Sequence, residues 1–107
     1  MPKEIQVEEL KSKLNSGENI VLVDCREADE NKFCKIEGST LIPLSEFEER
    51  AEGELRKDSE IYIHCHHGGR SMRACLYLEG LGYKNVANVA GGIDAWSLKV
   101  DPKVPRY

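Results

Sequence analysis

The chain has 107 residues, 40% of them hydrophobic and 32% charged, with a net charge of −4. That length fits a single domain with one core, and the acidic balance leaves no general nucleic-acid footprint. No apolar run approaches the length of a membrane helix. The opening Met1-Pro2-Lys3-Glu4-Ile5 lacks a signal-peptide pattern, so a cytoplasmic location is expected, with the four cysteines as reduced thiols rather than two disulfides.

Residues 3–6 read as a short first strand. Val7, Leu10 and Leu14 mark one face of a short helix that Gly17 ends. Residues 20–23 are Ile-Val-Leu-Val, a continuous apolar run suited to a central strand covered on both faces. The run ends in Asp24-Cys25-Arg26, which puts polar groups at its C-terminal edge. Residues 27–37 are polar apart from Phe33 and Ile36 and read as a loop with one helical turn. Residues 40–44 form a short strand closed by Pro43. Ser45 followed by Glu48 has the spacing of a capping box, so a helix is expected there with Phe47 and Ala51 facing inward. Gly53 and a charged run to Ser59 lead to the next strand.

Residues 61–72 read Ile-Tyr-Ile-His-Cys-His-His-Gly-Gly-Arg-Ser-Met. A β-branched strand ends at Cys65, Gly68 and Gly69 allow a sharp turn, and a helix starts at Arg70. Ala74, Tyr77, Leu78 and Leu81 give that helix its buried face, and Gly80 and Gly82 stop it. A loop entering a helix N-terminus turns backbone N–H groups inward and adds the positive end of the helix dipole. A cysteine there gains thiolate character, and the thiolate is the nucleophile. Arg70 adds a cation. One loop therefore offers a nucleophile and an anion site together.

Residues 86–89 form a last strand, Gly91-Gly92 a turn, and Ile93, Trp96 and Leu98 the anchors of a closing helix. Residues 1–98 are read as one domain and 99–107, with Pro102 and Pro105, as an extended C-terminal tail. Strands and helices alternate throughout, which predicts an α/β fold whose central, mainly parallel sheet carries helices on both faces. Ligands in such folds bind at the C-terminal edge of the strands, where Cys65 and Asp24-Cys25-Arg26 both fall.

These residues match a known family in order along nearly the whole chain. Cys65-His66-His67-Gly68-Gly69-Arg70-Ser71 fits the pattern Cys-x-x-Gly-x-Arg-Ser of single-domain rhodaneses, which are sulfurtransferases. Val23-Asp24-Cys25-Arg26 is similar to their Asp-x-Arg turn. Gly38-Ser39 with Ile42-Pro43-Leu44 resembles their Gly-Ala…Ile-Pro-Leu stretch, and Gly91-Gly92-Ile93-Asp94-Ala95-Trp96 their Gly-Gly…Trp ending. Cys34-Lys35-Ile36-Glu37 departs from the Gly-His-Ile-Pro usual there, and the His66-His67 pair is unusual.

The resemblance implies a rhodanese-like fold without a cofactor. It implies that Cys65 takes a sulfane sulfur from a donor such as thiosulfate, becomes a persulfide, and passes the sulfur to cyanide, a thiol or a persulfide-carrying protein. The amides of residues 66–70 would face the persulfide, Arg70 would attract the donor, Ser71 would bond within the loop, and Asp24 and Arg26 would brace neighbouring loops. A monomer or weak homodimer is expected.

Two other functions compete. Phosphatases and arsenate reductases of related fold use Cys-x5-Arg, one residue longer than the spacing from Cys65 to Arg70, and a shorter loop makes a smaller cradle. A non-catalytic module would keep the fold but usually lose the cysteine. A metal site within His64-Cys65-His66-His67 is not expected, because consecutive residues cannot all converge on one ion and zinc spacing is absent. The histidines are read as rimming the pocket. Cys75 is expected in the core and Cys34 at the surface. Cys25 lies near enough to Cys65 to act as a resolving thiol, although a structural role is favoured.

Overall fold

The computed structural model describes residues 2–107. In chain order the elements are β1 (Lys3–Ile5), α1 (Val7–Asn15), β2 (Ile20–Asp24), α2 (Ala28–Phe33) and β3 (Ser39–Leu41). A 3-10 turn (Leu44–Glu46) leads into α3 (Phe47–Glu54), followed by β4 (Glu60–His64), α4 (Gly69–Gly80), β5 (Val86–Val89) and α5 (Gly92–Lys99). The strands form one sheet in the order β1-β5-β4-β2-β3, and every pairing is parallel.

Alternation along the strands divides the core. Val23, Ile61, Ile63 and Val86 face one side, where Phe47 and Ala51 of α3 and Ala74, Cys75 and Leu78 of α4 cover them. Leu22, Tyr62, Ala87 and Val89 face the other, against Val7 and Leu10 of α1 and Ile93 and Trp96 of α5. Both faces are covered, as a parallel sheet built from crossovers requires.

The register positions the site. Val23 lies beside Ile63 and Asp24 beside His64, so β2 and β4 end level. The Cys25 amide then donates to the His64 carbonyl at 3.0 Å, carrying the pairing one step past the strands. Cys25 and Cys65 are therefore neighbours at the C-terminal edge.

Four local expectations are corrected. The Ser45–Glu48 capping box does not form, because the turn after Pro43 delays α3 to Phe47, and the Ser45 hydroxyl donates instead to Glu27 at 2.9 Å. The single helical turn expected within the loop of residues 27–37 is a helix of six residues, α2, started by a capping box between Glu27 and Glu30. Cys34 is not a surface residue: it is 7% exposed, because the chain turns inward after α2 and hands its carbonyl to Arg26. Leu98 is 57% exposed, since Ile93, Trp96 and Ser97 take the inner face of α5. The tail folds back on α5, with the Ser97 hydroxyl donating to the Val104 carbonyl and Arg106 paired with Asp94 at 2.9 Å.

Candidate active site

Cys65 is the first residue past β4 and is 1% exposed. Its Sγ accepts from the Gly68 amide at 3.1 Å and from the Ser71 amide at 3.4 Å, and the Ser71 hydroxyl lies 3.4 Å away. Gly68 has φ +121°, a conformation L side chains rarely adopt, so glycine is what lets this amide turn back onto the sulfur. The Cys65 thiol is pulled well below its ordinary range, first by the neighbouring Cys25 thiol and then by the Ser71 hydroxyl and the two amides, against the opposing effect of burial. Cys25 moves the opposite way: its proton is held by the contact with Cys65 and by burial. The pair therefore shares one negative charge, and it rests on Cys65.

The loop is clamped from two sides. The Ile93 amide donates to the Cys65 carbonyl at 2.9 Å and the Asp94 amide to the His66 carbonyl at 3.1 Å, both from the first turn of α5. A Cβ on Gly92 would collide with those two carbonyls, which explains the second glycine of Gly91-Gly92. From below, Asn88 of β5 is 2% exposed; its Nδ2 donates to the Gly68 carbonyl at 3.3 Å and its Oδ1 accepts from the Ser71 hydroxyl. With a single proton to give to these acceptors, that hydroxyl is oriented by Asn88.

Behind the loop lies a charged cluster. Arg26 is fully buried and grips Asp24 bidentately, Nε to Oδ1 at 2.9 Å and Nη2 to Oδ2 at 2.7 Å. Its remaining donors reach the Cys34 carbonyl at 2.6 Å and the Tyr107 hydroxyl at 3.0 Å. Burial alone would raise Asp24, but the Arg26 guanidinium, with Asn31, overrides it and keeps the carboxyl ionised. His64, completely buried, is pushed down by that burial and stays neutral. Arg70 is paired with Glu30 of α2, Nη1 to Oε1 at 2.7 Å and Nη2 to Oε2 at 2.9 Å. Arg70, then Tyr107, holds the Glu30 carboxyl down at about 2.

A family model, the Rhodanese-like domain, matches residues 6–99. The chain belongs to the rhodanese-like family. It is 39% identical over 101 residues to a putative sulfurtransferase of Bacillus subtilis (strain 168), covering 94% of this chain and 96% of that one. A putative sulfur carrier protein of the same organism is 41% identical over 98 residues; the match covers 92% of this chain, which spans about half (52%) of the carrier's length. A crystal structure of a rhodanese-like domain protein from Staphylococcus aureus superposes with a TM-score of 0.84 at 31% identity, covering 98% of both chains. Sulfur transfer is the chemistry these relatives share. Among the described residues, no helix is long and apolar enough to cross a membrane.

The rhodanese-like loop gathers the sequence-selected residues unevenly. Cys65, Gly68 and Ser71 converge at the sulfur, whereas the Arg70 guanidinium turns away to Glu30. Ser71, not the residues between it and Gly68, supplies the second amide bonded to Sγ. His66 and His67 rim the loop with ring centroids 3.9 Å apart, and His66 also stacks on Tyr107 at 3.9 Å and 7°. Asp24 and Arg26 lie behind the loop. Sequence reading missed Glu30, Asn88, Asp94 and Tyr107. Only Asn88 left a signal, as the one polar residue in the strand Val-Ala-Asn-Val.

Proposed function

We propose that this rhodanese-like protein transfers sulfane sulfur through a persulfide on Cys65, from a donor such as thiosulfate to cyanide or a thiol. The observation that carries this reading is the buried Cys65 sulfur, held by the Gly68 and Ser71 amides at the base of the loop. The Cys65 thiolate attacks the outer sulfur of thiosulfate, the S–S bond of the donor breaks, and sulfite leaves with the electron pair. The new terminal sulfur carries the negative charge, and preorganised N–H donors stabilise it without rearrangement. Cyanide or an acceptor thiolate then attacks that sulfur and restores the Cys65 thiolate. His66, His67 and Gly69 shape the mouth of the loop, while Asp24 and Arg26 keep its underside rigid.

Arg70 already gives one N–H from each terminal nitrogen to Glu30, so an anionic donor competes with that carboxylate for the guanidinium. This also argues against phosphate or arsenate chemistry, in which the arginine of the loop must be open to a tetrahedral oxyanion. An acceptor that is itself a protein thiol fits the persulfide, whose outer sulfur reaches further towards the surface than Sγ. Four free cysteines suit a reducing compartment such as the cytoplasm.

Intact-mass measurement after thiosulfate treatment tests the reading. The protein should gain one sulfur atom, lose it to cyanide as thiocyanate, and do neither as Cys65→Ser. Loading that persists in Cys65→Ser would reassign the nucleophile, and no loading from thiosulfate or a low-molecular-weight persulfide would remove the activity.

A further inference from the structure

The four consecutive residues His64 to His67 cannot close around an ion, but the fold brings a third ligand to two of them. Asp94, in the first turn of α5, lies over the loop with its Oδ2 at 3.8 Å from His67 Nε2. One ligand atom from each of His66, His67 and Asp94 falls within 4.8 Å of the other two. The His66 and His67 rings lie against each other, centroids 3.9 Å apart and planes tilted by 31°. We propose that His66, His67 and Asp94 form a binding site for a divalent transition-metal ion of the zinc type, at the mouth of the sulfur-transfer loop.

Three further observations support this site. His66 Nε2 is buried and bonded to nothing, and buried polar atoms are rarely left so. The ligands are held by backbone: the Asp94 amide bonds the His66 carbonyl at 3.1 Å, so α5 and the loop cannot drift apart independently. The carboxylate also has an outer partner: Arg106 donates from Nε to Asp94 Oδ1 at 2.9 Å and, at the longer 3.5 Å, from Nη2 to Oδ2, the oxygen that faces His67. Tyr107 fixes the other face of the His66 ring.

Ligand chemistry sets the ion class. Two imidazoles and one carboxylate suit Zn2+ or a close first-row neighbour, while Ca2+ and Mg2+ prefer oxygen alone. Tetrahedral zinc, with metal–ligand distances of about 2.0–2.2 Å, needs ligand atoms about 3.3 Å apart, so His67 and Asp94 must close in on the His66 ring from a spacing of up to 4.8 Å. Three protein ligands leave a fourth position for water. His67 is 68% exposed at its side chain, so the ion has a way in.

Zn2+ titration by calorimetry tests the site without using activity, so a failure here is separable from a failure of the sulfur-transfer reading. The Cys65 thiolate, in the same loop, is a competing ligand, and Cys65→Ser removes it. One Zn2+ should bind per chain with micromolar or tighter affinity, and Cys65→Ser should retain it within about threefold. Asp94→Asn and His67→Ala should each weaken binding by about 10–100-fold, the usual effect of losing a ligand or its support. The first is isosteric and the second exposed, so melting curves should show both folded. Co2+ should give a visible absorption band without the intense near-ultraviolet band of a thiolate ligand. No saturation up to about 100 μM Zn2+, unchanged affinity in both ligand variants, or loss of binding in Cys65→Ser would each overturn the proposal.

Discussion

At Cys65 the physical problem is to keep a thiolate inside a domain where burial opposes charge. The solution is local: one neighbouring thiol, one hydroxyl and two amides converge on the sulfur. Asn88 orders this arrangement from below by accepting from Ser71 and donating to the Gly68 carbonyl. Asn88→Ala takes one acceptor from the buried Ser71 hydroxyl and one of the donors from the Gly68 carbonyl, which should cost about 1 kcal/mol of stability. It should also lower the pH midpoint for alkylation of Cys65, since the single Ser71 proton, no longer given to Asn88, can be given to the sulfur. An unchanged alkylation profile would reduce Asn88 to a packing residue. The nucleophile was legible because its cues are contiguous: a strand, two glycines and a helix start within twelve residues. Asn88 lies 23 positions further along, and only the pairing of β5 with β4 brings it under the loop. The location of Cys34 was illegible for a similar reason. Its burial depends on Arg26 taking its carbonyl, a contact no periodicity records.

At the scale of elements, α2 illustrates how weak patterning hides a structural role. This helix of six residues buries none of its own side chains, and its polar sequence resembles a loop. Its contribution is Glu30, which closes the capping box and clasps Arg70 of α4. The clasp has a pH signature. A carboxyl held at about 2 against an ordinary 4.5 adds stability that is complete above the ordinary value. That stability drains away as pH falls from about 4.5 towards about 2. Glu30→Gln should flatten the dependence of melting temperature on pH across that window, and a slope equal to the parent's would dissolve the clasp as a stabilising feature. The same variant frees Arg70, so the apparent KM for thiosulfate should fall severalfold at neutral pH. A rise instead would mean that Glu30 positions Arg70 for the donor rather than competing with it. The longer elements were readable because apolar runs and helical spacing carry them. α3 was displaced because Pro43 starts a turn that overrides the cue of Ser45 and Glu48.

Across the whole molecule, residues 26–30, the loop after β4 and the C-terminal tail meet at one side chain. Tyr107 accepts from Arg26 Nη1 at 3.0 Å and donates to Glu30 Oε2 at 2.7 Å while its ring stacks on His66. Burial, reinforced by Glu30, raises the phenol to about 12, so it stays protonated and able to donate. The tail thus joins the end of β2, the start of α2 and the loop after β4, although its sequence has no period and two prolines. Two substitutions separate the polar from the aromatic contribution. Tyr107→Phe keeps the stack and leaves the buried Arg26 guanidinium one acceptor short, which should cost about 1–2 kcal/mol. Tyr107→Ala also uncovers the face of His66, so it should cost more and speed amide hydrogen exchange in residues 66–70. The Asp24–Arg26 pair keeps its other bonds in both variants, so each should still fold. If both variants melted with the parent and exchange at the loop were unaltered, the tail would merely lie against the domain. If Tyr107→Phe alone reproduced the whole loss, the hydroxyl would be the joint and the stack incidental.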